Sequence, residues 1–162
     1  MKSLPGGTLS TDGLFVLERF VPFRLSVLAN RMTRAVAGVY ARRFNVSAPE
    51  WRTLAVLGRF GAMTANNVVE RTAMDKVRVS RAVTRLLELG YITRRTDPLD
   101  RRRAILDLTA SGNNVYRHIA PRALAVERDL LQALDPDERA AFEAAISKLE
   151  GRVASHGPEA ED

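Results

Sequence analysis

Two β-prone runs, YITRRT and RAILDLT, are joined by the turn sequence DPLD in a chain whose remaining patterning is helical. This restricts the fold to a mainly α chain carrying one small β-hairpin. Upstream, Leu25, Leu28, Met32, Val36, Val39 and Phe44 recur at helical steps and predict an amphipathic helix from about Phe20 to Phe44. Pro22 is tolerated in its first turn, and Asn45 suits a left-handed stop. Ser47 with Glu50 makes a capping box for a shorter helix, with Leu54, Leu57 and Phe60 directed inward and Gly61 closing it. Thr64 caps the brief helix TANNVVERTA, and Asp75 caps DKVRVSRAVTRLLELG, which stops at Gly90.

Three adjacent arginines beside one turn repel each other, so the placement of charge is informative. From Lys76 to Arg103, nine cations oppose Glu88, Asp97 and Asp100, a net +6 that equals the excess of the whole 162-residue chain. The chain holds 22 arginines and three lysines, a bias that could by itself supply many cations. Bias would scatter arginine, whereas clustering on consecutive elements is the footprint of a nucleic-acid-binding face. In the basic helix, Val79, Ala82, Val83, Leu86 and Leu87 form an inward stripe. Arg78, Arg81 and Arg85 follow three-and-four spacing on another face, with Ser80 and Thr84 alongside. Two short helices joined by AMD, the second basic and N-capped, match a helix-turn-helix whose second helix enters the DNA major groove. That spacing alone is weakly specific, because any exposed amphipathic helix can carry arginines. The hairpin directly after it supplies a wing, its arginine-rich tip placed for the neighbouring minor groove. Asp97 and Asp100 offset part of the self-repulsion, and counterion release on a polyanion would convert the remainder into binding free energy.

Other chemistries find little support. Hydrophobic content of 46% and charged content of 27% suit a soluble globular chain. With no cysteine, the chain has no disulfide, thiol sensor, Cys-ligated zinc or Cys nucleophile. The N-terminus lacks an apolar signal-type region, and no apolar run approaches the roughly 18 residues of a membrane span, so a cytoplasmic protein without membrane contact is expected. His118 and His156 occur without HExxH, GxSxG, Walker or dinucleotide-binding motifs, so neither an enzyme nor a cofactor is expected. Two turn aspartates beside three arginines read as charge balance rather than as a metal site.

The segment VSRAVTRLLELGYITRRTDPLDRRRAILDLTASG closely resembles the central part of the MarR family of bacterial transcription regulators. Its carriers are the Leu-rich helix end and glycine at Leu86 to Gly90, the Asp-Pro-x-Asp-x-Arg pattern from Asp97 to Arg102, and Leu108-Thr109-Ala110-Ser111-Gly112 opening the next helix. The resemblance implies a winged helix-turn-helix domain, residues 47–108, with N- and C-terminal dimerisation helices at 14–45 and 109–156, in a single MarR-like domain spanning 1–162. It makes Arg102 the wing-tip minor-groove residue, with Asp100 and Asp97 orienting the wing and Arg101 and Arg103 touching phosphates. The full DNA-facing set is Thr64, Asn66, Lys76, Arg78, Ser80, Arg81, Thr84, Arg85, Arg94, Arg95, Arg101, Arg102 and Arg103. The chain departs from the family in TANNVVERTA, where Val68-Val69 and Asn67 replace the more usual Leu-Ala and acidic residue, and in having no cysteine for oxidant sensing.

Beyond the wing, Thr109 caps a helix carrying Val115, Ile119, Leu124, Leu130, Leu131 and Leu134, with Pro121 inside it. Asp135, Pro136 and Glu138 open another helix, striped by Phe142, Ile146, Leu149 and Val153. These stripes either cap one domain or meet those of a second copy; the homodimer is the reading taken, with reading heads about 34 Å apart on a pseudo-palindromic operator in double-stranded DNA. The tail 157–162 is acidic and expected to be disordered. The resemblance further implies a repressor responding to a small aromatic or phenolic acid, for which Phe20, Arg24, Trp51 and His118 are the candidate contacts. A competing reading is a dimeric protein-interaction adaptor whose basic face meets an acidic partner.

Overall fold

A computed structural model describes residues 15–98, 100 and 102–155. A single 3-10 turn, Leu17–Arg19, precedes α1 (Val21–Phe44), α2 (Ala48–Phe60), β1 (Met63–Thr64), α3 (Ala65–Thr72), α4 (Lys76–Glu88), β2 (Ile92–Thr96), β3 (Ala104–Leu108), α5 (Ala110–Leu131) and α6 (Pro136–Ala154). The backbone divides into two compact units, one ending at Leu124 and the other beginning at Ala125.

In the first unit, helix ends lie where local chemistry puts them. Asn45 stops α1 in the left-handed region at φ 52°, and the Glu50 carboxylate accepts from the Ser47 N–H at 2.6 Å to open α2. The Thr64 hydroxyl accepts from the Asn67 N–H at 3.2 Å, and the Asp75 carboxylate accepts from the Arg78 N–H at 2.7 Å. The helix-turn-helix corner is made by Ala73, also left-handed at φ 51°, followed by the buried Met74. The hairpin pairs Ile92 with Leu108 and Thr96 with Ala104 in antiparallel register. A third strand adds Met63–Thr64 against Ile105–Leu106, so the sheet order is β1-β3-β2. Two residues are too short to display alternation, which is why this strand leaves no sequence signal.

The core gathers Tyr40, Leu54, Leu57, Val68, Val79, Leu86, Leu106 and Ile119, each nearly or fully inaccessible. Each buried side chain of this size contributes roughly 1.5–3 kcal/mol. The predicted stripe of α4 is buried from Val79 to Leu86, with Leu87 half-buried at its end. Phe60, expected to point inward, is instead 52% exposed. It occupies the last residue of α2, beyond the packed part of that helix, and the Arg71 guanidinium covers its ring at 4.2 Å from the centroid. The wing is clamped to the start of α5: the Thr109 hydroxyl donates to the Gly90 carbonyl at 2.7 Å and the Thr109 N–H to that of Tyr91 at 3.0 Å. Gly112 packs its bare Cα directly on the Tyr91 carbonyl. Pro121 lacks the N–H its turn of α5 would use, and the Arg122 side chain donates to the His118 carbonyl in that turn at 2.6 Å.

In the second unit, α6 opens on a reciprocal capping box between Asp135 and Glu138, with N–H···O distances of 2.8 and 3.0 Å. None of its residues is buried, and Ile146, Leu149 and Val153 are exposed. No described helix is long and apolar enough to cross a membrane.

Candidate nucleic-acid interface

Helix α4 turns its apolar stripe into the core and leaves Lys76, Arg78, Ser80, Arg81 and Thr84 exposed, because residues at i, i+3 and i+4 share a face. Asp75 caps the helix and pairs with the exposed Arg78 guanidinium at 3.2 Å. Arg85 is half-buried, paired with Glu88 at 3.1 Å, and turned toward a shallow pocket with Asn45, Ser47 and Glu50. Arg81 forms no ion pair among the described residues and stands on the crest of the helix.

On the wing side of α4, a groove of about 210 Å³ has Val69, Val79, Val83, Leu87 and Leu106 for a floor, with Asn66, Lys76, Ser80, Thr84 and Arg94 around it. Asn66 and Arg94 also line a second hollow of about 310 Å³, where Thr64, Arg102 and Arg103 converge on the first turn of α3. That helix end presents N–H groups and the positive end of the dipole, so N–H donors and three guanidiniums surround one space, with the Glu70 carboxylate on its wall as the opposing charge. The arrangement suits an anion with several oxygens. Strand alternation sends the neighbouring Arg95 to the other face of β2.

The wing tip is built by its aspartate. The Asp100 carboxylate accepts from the Arg102 N–H at 3.0 Å, and its second oxygen lies 3.7 Å from Arg103 Nε. Backbone bonds from Asp97 N to Arg103 O and from Arg103 N to Asp100 O, both 2.9 Å, close the turn. Arg101 and the tail 157–162 lie outside the described residues. Of the thirteen expected DNA-facing residues, eight therefore line these two hollows, which share Asn66 and Arg94, with Arg78 and Arg81 on the helix crest. Arg85 and Arg95 point away from them.

This is a winged helix-turn-helix in which recognition helix, wing and the start of α3 share a cationic face. Residues 44–103 match a model of the MarR family. The segment that builds this face thus matches the MarR family, and most of the chain is similar to its members. The chain is 25% identical over 142 residues to the multiple antibiotic resistance protein MarR of Salmonella typhimurium, covering 86% of this chain and 97% of that protein. Among solved structures, a MarR/EmrR-family regulator from Acinetobacter sp. ADP1 superimposes with a TM-score of 0.77 at 25% identity, covering 86% and 98% of the two chains. BpsR of Bordetella bronchiseptica, whose DNA binding is regulated by 6-hydroxynicotinic acid, superimposes with a TM-score of 0.72 at 25% identity, covering 80% and 98%. The regulator accordingly binds DNA to control transcription; its family is one of transcription regulators, not enzymes.

A separate cavity of about 200 Å³ opens between α1 and α2, lined by Met32, Val36, Tyr40 and Trp51 with Thr33 and Arg52. Tyr40 is fully buried, and its hydroxyl has no hydrogen-bond partner among the described residues. Burial pushes the phenol above its ordinary value, with Arg52 opposing the shift and Glu50 adding to it. The Arg52 guanidinium donates to the Thr33 hydroxyl at 3.4 Å, and Trp51 stands between the Tyr40 and Tyr116 rings, 5.8 and 6.1 Å between centroids. Of the four candidate effector contacts, Trp51 alone lines this cavity. Phe20 and Arg24 belong to the beginning of α1, and His118 lies against Phe44, 6.3 Å between centroids. Sequence reading missed Tyr40, although its position four residues after Val36 continues the inward face of α1.

Proposed function

We propose that this regulator is a homodimeric repressor of a pseudo-palindromic operator, released by a small aromatic carboxylate. The observation that carries the reading is the convergence of Arg94, Arg102 and Arg103 on the first turn of α3, beside the exposed face of α4. In this reading a phosphate sits among the Arg94 and Arg103 guanidiniums and the α3 N–H groups, which sets the register of α4 in the adjacent major groove. Arg81 reads a base, its unpaired planar fork suiting guanine O6 and N7. Arg102 follows the wing into the minor groove, and Lys76, Arg78, Arg103, Thr64 and Asn66 hold the backbone.

The apolar surface of the terminal helices supports the dimer. Phe23, Leu25 and Leu28 on α1 are exposed, as are Ile146, Leu149 and Val153 on α6. For the effector, the α1–α2 cavity combines an apolar body, an unpartnered phenol O–H and a guanidinium at its edge, which suits an aromatic ring bearing a carboxylate. BpsR, regulated by the aromatic acid 6-hydroxynicotinic acid, supports that ligand class. A ring wedged between α1 and α2 would tilt the winged lobe against its first helix and so change the separation of the two reading heads.

Selection of bound duplexes from a random pool tests the DNA part. The expected product is an inverted repeat whose half-sites are centred about one helical turn, roughly 34 Å, apart. Recovery of unrelated sequences with no two-fold symmetry would overturn it. Adding a panel of benzoate and pyridine carboxylates to the selected complex tests the effector: at least one should release DNA from the wild-type protein.

A further inference from the structure

Val77 is 59% exposed in the first turn of α4. At about 100° per residue, it projects nearly opposite the buried Val79, Ala82, Val83 and Leu86, on the crest that it shares with Arg81 and Thr84. Folding gives no reason for a valine there. Its β-branch makes it a poorer helix former than the straight-chain polar residues, and its methyl groups touch water rather than the core. Its surroundings are cationic, with Lys76 and Arg78 on either side and Arg81 one turn on, so the complementary occupant is a polyanion. The first turn of a recognition helix is also the part that meets base edges.

We propose that Val77 determines specificity by packing on the C5-methyl group of a thymine in the major groove, a contact that the guanidinium and ammonium groups around it do not supply. Thymine is the one base that presents a methyl group there, so an apolar side chain at that point discriminates against the other three. Val77 then complements Arg81: the guanidinium reads acceptors on one base pair, and the valine reads a methyl on a neighbouring pair. The free protein exposes two methyl groups to water, and binding removes them together with that of thymine. This inference rests on the placement of α4 in the major groove.

The test replaces thymine by uracil, one position at a time, in the selected half-site. The exchange removes only the C5-methyl and leaves Watson–Crick pairing intact. Wild-type protein is expected to lose about four-fold in affinity at one position, the loss corresponding to one methyl-sized apolar contact. In Val77→Ala the ratio between thymine and uracil duplexes at that position should fall toward one, while the salt dependence of binding stays unchanged because no charge has been altered. Alanine favours the helix, so the variant should fold, and its circular dichroism checks this. A wild-type protein indifferent to every thymine-to-uracil exchange, or a Val77→Ala variant that keeps the full discrimination, overturns the role of Val77 alone. Absence of any sequence-selective duplex binding overturns the major-groove reading and this inference with it.

Discussion

Among the described residues the Tyr40 hydroxyl is a buried polar atom without a partner, and a group that loses its hydration in this way costs about 1–3 kcal/mol. Tyr40→Phe should therefore raise the melting temperature at neutral pH and weaken release of DNA by the effector, opposite signs that follow from one missing donor. It should also change the alkaline limb. Burial favours the neutral phenol, so above the ordinary value of 10.0 the unfolded chain gives up its proton before the folded chain does. The associated stability is intact below 10.0 and declines as pH climbs through the raised value; denaturant titrations of Tyr40→Phe should show a shallower fall there. At Gly112, a Cβ would meet the Tyr91 backbone oxygen at 1.8 Å. Alanine gains about 1 kcal/mol of helix propensity, but an overpacked clash with backbone costs about 1–3 kcal/mol and more when neither side can yield, so Gly112→Ala should lower the unfolding midpoint in urea. On the wing, Arg102→Ala should weaken operator binding and reduce the slope of log K against log salt by about 1, since one cation placed in the minor groove between the phosphate chains is lost. An unchanged slope would remove Arg102 from the interface.

At the scale of elements, α4 begins on a residue with two conflicting tasks. Asp75 caps the helix at 2.7 Å from the Arg78 N–H and also pairs with the Arg78 guanidinium at 3.2 Å, both in the open. An exposed pair of this kind contributes at most about 1 kcal/mol, and the carboxylate repels any phosphate that approaches the first turn. Asparagine caps about as well as aspartate. Asp75→Asn should thus leave the melting temperature within a few degrees of wild type, tighten DNA binding and steepen its salt dependence, as titrations at several salt concentrations would reveal. The wing solves the reverse problem. Asp100 accepts from the Arg102 N–H and neighbours Arg103, so one carboxylate both shapes the tip and relieves repulsion between cations that phosphate would otherwise have to neutralise.

For the whole molecule, the decisive feature is a 19-residue helix, α6, in which no residue is buried. A helix of this length is held mainly by burial of an apolar stripe, and Leu149 and Val153 remain 51% and 69% exposed. In the dimer proposed above, a second copy covers that surface. Leu149→Asp should shift sedimentation from a dimer toward a monomer, and the residual binding should favour a single half-site with roughly half the salt slope of the intact pair. A variant that still sediments as wild type would place the dimer contact elsewhere.

Local chemistry determined much of this protein without help from the fold: Asn45, Ser47, Thr64, Asp75 and Asp135 end or start helices through interactions within a few residues, and the DPLD turn dictates a hairpin. The stripe of α4 and the cluster of arginines were legible for the same reason, since periodicity and charge are properties of adjacent positions. Tertiary structure alone decided that Arg94 joins Arg102, Arg103 and the start of α3 while Arg95 and Arg85 turn away, that Phe60 lies outside under Arg71, that Met63 and Thr64 complete a sheet, and that Tyr40 walls a cavity with its hydroxyl unpartnered. Each of those outcomes depends on which surfaces meet across tens of residues, and a one-dimensional pattern records the period of a side chain but not the partner that packing brings to it.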